Sequence, residues 1–279
     1  MTAGDVITIV EDNVARKGVY FDGTDDYVLH DAHAVARVAA KDTTGTYTAW
    51  IYVDKFDGTS YTIFSAGDND SANEYMHLKI SNNKLDIILV QGGATQFNVR
   101  ETTESMTARK WTHVAVVQDG TSPVLYIDGI LQATTNLTAT DLTMWYDKLA
   151  NCDKFAIGIL ESNATHTEDF LGAIGQVKYW NRALSAAEIL RDYNGDTQIN
   201  GDYPDSTYLV FNVAMTDNGT DDKGTGDDNG TLTGNAHYGG LISAHSIALE
   251  RNCTGHAAER SETMQISPSK LQTIIVRGD

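Results

Sequence analysis

Cysteine, proline and the cationic residues are all scarce in this chain, and each scarcity argues against a class of protein. The two cysteines, Cys152 and Cys253, allow at most one bridge and have no C-x-x-C spacing. That speaks against a disulfide framework and against a thiolate zinc site. Three prolines among 279 residues, with 41% of residues hydrophobic, leave ample material for a core and speak against disorder throughout. Lys and Arg total 20 against 38 Asp and Glu, a formal net charge of −18. Such a surface repels phosphate backbones and anionic lipid, so no nucleic acid partner and no membrane insertion are expected. No stretch reaches the ~18 apolar residues of a membrane span. The opening MTAGDVITIVEDN lacks the basic and apolar regions of a secretory signal, so none is expected.

What the chain does contain is short alternating apolar runs about every ten residues, separated by Gly, Asn, Asp, Ser and Thr. The clearest predicted strands are Tyr47–Val53, Tyr61–Ala66, Glu74–Ile80, Leu85–Gln91, Trp111–Gln118, Val124–Ile127, Phe155–Leu160 and Leu171–Trp180. Tyr47–Val53 is apolar or aromatic on both faces, which predicts a central strand covered on both sides. Ser81-Asn82-Asn83-Lys84 and Asp128-Gly129 read as tight hairpin turns, whose central residues must tolerate positive φ. One helix is signalled: Ser185 to Glu188 spells a capping box, Ile189, Leu190 and Tyr193 supply an apolar stripe, and Gly195 follows as a stop. Tyr208–Val213 is a further strand, and Asp217–Gly230 has the composition of a solvated acidic loop.

Three blocks carry a family resemblance. They are Val19-Tyr20-Phe21-Asp22-Gly23-Thr24-Asp25-Asp26-Tyr27-Val28, the stretch from Lys110-Trp111-Thr112-His113 through Leu125-Tyr126-Ile127-Asp128-Gly129, and the run Phe170 to Ile189. In order and separation they resemble the laminin-G-like and pentraxin branch of the concanavalin A-like lectin/glucanase superfamily. The resemblance implies an all-β fold, a two-sheet antiparallel jelly-roll β-sandwich with one short helix, plus N- and C-terminal arms. Residues 1–18 form the N-terminal arm, 19–238 the domain and 239–279 a C-terminal extension. Trp111 and Trp180 are expected to fill the sandwich core.

Fold alone does not give activity. The E-x-D-x-x-E carboxylate set of the β-glucan hydrolases that share this fold does not occur, nor do H-E-x-x-H or G-x-S-x-G. The resemblance therefore implies a non-catalytic binding module for a glycan or another surface. A purely structural virion decoration or capsid-associated protein is the alternative, with self-association or a capsid partner engaged through the terminal arms. A glycoside hydrolase is the third reading. Either of the first two places the protein outside the cell or on a virion surface. Pentraxin-like domains bind Ca²⁺ between an early and a later loop, which here makes Asp70, Asn73, Glu161 and Asp169 the candidate ligands. Ala72 departs from that pattern where an Asp is expected. For a sugar, Trp145 and Tyr146 are the candidate stacking pair, on the expectation that they lie in an exposed loop.

Overall fold

The computed structural model describes residues 18–195, 208–213, 231–233 and 237–239, all within one compact unit, Lys17–Gly240. The expected terminal arms (apart from Gly18 and Gly239), Cys253 and the acidic loop Asp217–Gly230 lie outside these residues. In chain order the elements are β1 (Gly18–Asp22), β2 (Tyr27–Leu29), α1 (Asp31–Ala40), β3 (Gly45–Val53), β4 (Tyr61–Gly67) and β5 (Tyr75–Ser81). Then come β6 (Lys84–Gln91), β7 (Ala94–Glu101), β8 (Trp111–Gln118), β9 (Pro123–Ile127), β10 (Ile130–Leu131) and β11 (Thr134–Ala139). The series ends with β12 (Lys154–Ile157), β13 (Leu160–Ser162), β14 (Thr165–Thr167), β15 (Leu171–Trp180), α2 (Ala186–Tyr193), β16 (Leu209–Val213), β17 (Thr231–Thr233) and β18 (His237–Gly239).

Two sheets face each other. The first runs β10-β9-β8-β3-β15-β1-β18 with β16 also on β15; the second runs β11-β7-β6-β5-β4-β12-β2-β17. Every ladder among the described strands is antiparallel. The side-chain period of two decides which residues meet between the sheets. Tyr47, Ala49, Ile51 and Val53 of β3 point inward, as do Met76, Leu78 and Ile80 of β5 and Leu85, Ile87 and Leu89 of β6. The predicted hairpin turns form as expected: Asn82 and Asn83 have φ of 50° and 62°, and Asp128 and Gly129 have φ of 49° and 77°.

β3 lies between β8 and β15 and is covered on both faces, as its double apolar character predicts. Its second cover is α2. The capping box is present as read, with Ser185 Oγ accepting from the Glu188 amide and the Glu188 carboxylate accepting from the Ser185 amide. Ile189 of the helix packs with Ala115, Val117, Tyr126, Trp180, Leu184 and Leu209 in a small second core. Trp180 therefore does not fill the sandwich interior. Its neighbour Tyr179 takes the inward position, and alternation sends Trp180 out beneath the helix. Trp111 likewise stands on that outer side, with its ring 5.7 Å from that of Tyr52. Asp192 anchors the helix to the sheet. Lys178 Nζ lies 2.6 Å from its Oδ1, while Thr48 Oγ1 donates to Oδ2 at 2.7 Å and His113 Nε2 lies 3.0 Å from it.

The described residues hold two α-helices where one was expected. Helix α1 begins at His30, which makes no side-chain cap, and ends at Lys41 in left-handed conformation. The cap positions, His30 and Lys41, lack the Ser/Thr/Asp and Gly that mark helix boundaries most strongly, and only Asp31 and Arg37 in the first and last turns signal them. Cys152 is a free, buried thiol.

Candidate functional site

On the second sheet, the positions between the core residues face away from the sandwich. In β5 these are Tyr75, His77, Lys79 and Ser81, alternating with Met76, Leu78 and Ile80. The ladder aligns them into cross-strand rows: Thr62, Lys79, Asp86 and Arg100 form one, and Ser65, His77, Ile88 and Asn98 the next. The first row is paired by charge. Arg100 Nε donates to Asp86 Oδ2 at 2.9 Å and its Nη2 reaches Ser81 Oγ at 3.1 Å. Lys79 Nζ lies 2.9 Å from Oε1 of Glu168, which descends onto this face from the segment after β14. Thr62 Oγ1 donates to Glu168 Oε2 at 3.2 Å. Glu168 holds a φ of 58°, unfavourable for a residue with a Cβ, and its carbonyl accepts the Thr62 amide at 2.8 Å.

The environment sets the protonation of these groups. Asp86 is fully buried, and burial pushes its carboxyl above the usual range although Arg100 pulls it back; Oδ1 has no hydrogen-bond partner. Burial and the neighbouring Lys79 charge hold the His77 imidazole well below its usual pKa, so it is neutral near pH 7.

One end of this face is walled. The hairpin β13–β14 lies over β4: Ser65 Oγ donates to the Ile159 carbonyl at 2.8 Å and accepts the Glu161 amide at 3.1 Å. Gly67 abuts the Glu161 carbonyl so closely that a Cβ at that position has no room. The Asn163 amide donates to the Asp68 carbonyl at 2.9 Å, which joins the hairpin tip to the loop before β5. Between hairpin, loop and sheet opens a pocket of about 270 Å³ lined by Ala72, Tyr75, Leu160, Ser162, Asn163, Thr165 and Thr167. The Tyr75 ring is half-buried and stands edge-on to His77 at 5.5 Å. The hydroxyl of Ser162, a residue 9% exposed, finds no partner, and neither does Oε2 of the adjacent, buried Glu161. Burial raises the Glu161 carboxyl pKa, against the opposing pull of His166, whose Nε2 lies 3.8 Å from Oε1. Orphaned buried polar atoms are uncommon in folded proteins and are met by solvent or by a ligand.

The residues singled out in the sequence divide between this pocket and elsewhere. Asp70 and Asn73 belong to its loop: the Asp70 amide donates to Asp68 Oδ1, and the Asn73 carbonyl accepts from Gly93. Glu161 lies on β13 between the lining residues Leu160 and Ser162, with its carboxylate on the His166 side of the hairpin. Asp169 instead accepts the Asp25 amide at 3.0 Å in the β1–β2 turn. Among the described residues no three His, Cys, Asp or Glu side chains gather into a metal-holding group. Trp145 and Tyr146 are fully buried. Trp145 Nε1 donates to Tyr179 Oη at 3.1 Å, and the Tyr146 and Tyr47 hydroxyls are 2.5 Å apart. The expected sugar platform is thus a core pair, and Tyr75 is the aromatic at the pocket. The signal was present in Tyr75-Met76-His77-Leu78-Lys79-Ile80, where every outward position is polar or aromatic.

A likeness to known structures follows from this sandwich. A carbohydrate-binding module of a Ruminococcus gnavus intramolecular trans-sialidase, solved with α2,3-sialyllactose, superposes with a TM-score of 0.54 at 18% identity; the match covers 64% of this chain and 96% of that one. A putative carbohydrate binding protein from Bacteroides ovatus gives 0.52 at 19% identity, covering 82% of this chain and 61% of that one. A leech intramolecular trans-sialidase gives 0.52 at 21% identity over 63% of this chain and 27% of the enzyme. At such identities the likeness is one of fold. No curated protein matches the sequence. A laminin-G-type family model matches residues 22–190, more than half the chain. The chain belongs to the concanavalin A-like lectin/glucanases superfamily.

Proposed function

We propose that this chain is a non-catalytic glycan-binding module and that the pocket beside Tyr75 receives the sugar. The observation that carries this reading is the lining itself. One half-buried aromatic ring stands among the hydroxyls of Ser162, Thr165 and Thr167 and the amide of Asn163. A sugar ring has an apolar face for Tyr75 and a rim of hydroxyls that both donate and accept, which Ser, Thr and Asn side chains match. The carbohydrate-binding modules that share the fold support the same class of ligand. Beyond the pocket, the partly exposed Glu168 and Arg100 of the polar row offer further contacts to an extended chain.

A glycan array probed with the full chain tests this reading, followed by calorimetry with the sugars retained. Wild-type protein is expected to bind a defined set and Tyr75→Ala to lose about tenfold or more in affinity, ~1.4 kcal/mol. An array blank both in calcium and in chelator contradicts it.

A further inference from the structure

Resting on that reading, we infer that the pocket selects neutral glycans and discriminates against sialylated or otherwise anionic ones. Of the cations on this face, Lys79 and Arg100 are already matched by carboxylates, and Lys84 Nζ donates to the Thr102 carbonyl. Lys79 Nζ is 2.9 Å from Glu168 Oε1 and 3.3 Å from Oε2, so the carboxylate spans it. Arg100 gives both Nε and Nη2 to Asp86 Oδ2. Beyond the hairpin, Lys154 Nζ is 2.7 Å from Asp31 Oδ2.

The groups that line the pocket are of another kind. The lining residues Ala72, Tyr75, Leu160, Ser162, Asn163, Thr165 and Thr167 include no charged side chain, and the unpartnered acceptors Asp86 Oδ1, Asn98 Oδ1 and Glu161 Oε2 lie outside that lining. Ser162 adds an unpartnered hydroxyl to the pocket wall. The hydroxyl and amide groups of that lining suit the hydroxyls of a neutral sugar. A sugar carboxylate brought among them has no donor in the form of a free cation, and it loses its own hydration on entry. The whole chain, at −18, adds a long-range repulsion against anionic ligands. His77 supplies no charge, being neutral, and His166 already faces Glu161. Binding of a neutral sugar through hydroxyl contacts is, in addition, little screened by salt.

The test is calorimetry at pH 7.5 on the full chain, using the best neutral oligosaccharide from the array and its sialylated counterpart, at 50 and 300 mM NaCl. The expected result is at least tenfold tighter binding of the neutral form, with affinity changed less than twofold by salt. Glu168→Gln, which uncovers the Lys79 ammonium, is expected to narrow that ratio several-fold in favour of the sialylated form. Preference of the wild type for the sialylated form, weakened by salt, overturns the inference and leaves the glycan reading standing. Failure to bind either form, with a blank array, removes both.

Discussion

The two outer faces of this sandwich solve the same problem in opposite ways. Each carries a buried aspartate paired with a cation that projects from a strand. On the first sheet Asp192 meets Lys178, His113 and Thr48, both its oxygens are used, and helix α2 seals the face. Burial alone raises the Asp192 carboxyl, but the Lys178 and His113 contacts outweigh it and hold the pKa well below the usual range. On the second sheet Asp86 meets Arg100 through one oxygen, its other oxygen is orphaned, and burial wins, so its pKa is raised. A buried carboxylate whose oxygens are both matched by the protein serves folding. The second-sheet network keeps one unmatched carboxylate oxygen, on a fully buried Asp86 outside the pocket lining.

Substitutions can break this contrast. The largest effect is expected for Asp192→Asn, which leaves Lys178 buried, with a side chain 5% exposed, and short of its partner. The cost is about 3–5 kcal/mol, or roughly 10 °C in Tm, read by calorimetric melting. Because the folded pKa of Asp192 is depressed, its contribution is present above about pH 4 and is lost as pH falls through the folded value. The melting difference between wild type and variant should therefore shrink in acid.

Tyr75→Ala comes next. It removes an outward ring and not a core one, so affinity should fall about tenfold while stability changes by about 0.5 kcal/mol or less. A Tm drop as large as that of Asp192→Asn would place Tyr75 with the structural residues instead.

Glu101 sharpens the comparison from within the second sheet. Burial pushes its carboxyl to about 7, above what its contacts with the Ser105 and Leu85 amides restore, and Oε2 has no partner. The folded state holds the proton where the unfolded chain, with a pKa near ~4.3, has lost it. Its contribution thus favours the fold at low pH and diminishes as pH rises through about 7. Glu101→Gln is expected to stabilise by about 1 kcal/mol at pH 8 and by nothing measurable at pH 4. The smallest effect belongs to Asp86→Asn, where the relieved burial of charge opposes the weakened Arg100 pair. The Arg100 side chain is 19% exposed and reaches water, so a change within about 1 kcal/mol in thermal melts is expected.

Much of the fold was legible because alternation is a local property. The strands Trp111–Gln118 and Leu171–Trp180 have the boundaries the sequence indicates, and the Ser185 capping box forms as spelled. Helix α1 was not legible, since its cap positions, His30 and Lys41, are not capping residue types. Which face a tryptophan takes was also hidden: the bulge between Gly175 and Lys178 shifts the register of β15, so Tyr179 points inward and Trp180 outward. The site was half legible. Loop composition pointed to Asp70, Asn73 and Glu161, which belong to the loop and hairpin that form the pocket but are not among its lining residues. The Trp145-Tyr146 pair looked loop-borne, yet its hydroxyl and indole partners, Tyr47 and Tyr179, lie 99 and 34 residues away in sequence. Tyr75 and Glu168 become neighbours of the pocket only when the β13–β14 hairpin folds over β4, a contact no local pattern encodes.

Amide NMR of the full chain during titration with an array-selected neutral oligosaccharide tests the central claim most directly. The predicted result is saturable shifts confined to residues 72–79 and 160–168. Shifts centred on α2 and the outer face of the first sheet, or none at saturating sugar, would contradict the assignment of the open face as the binding surface.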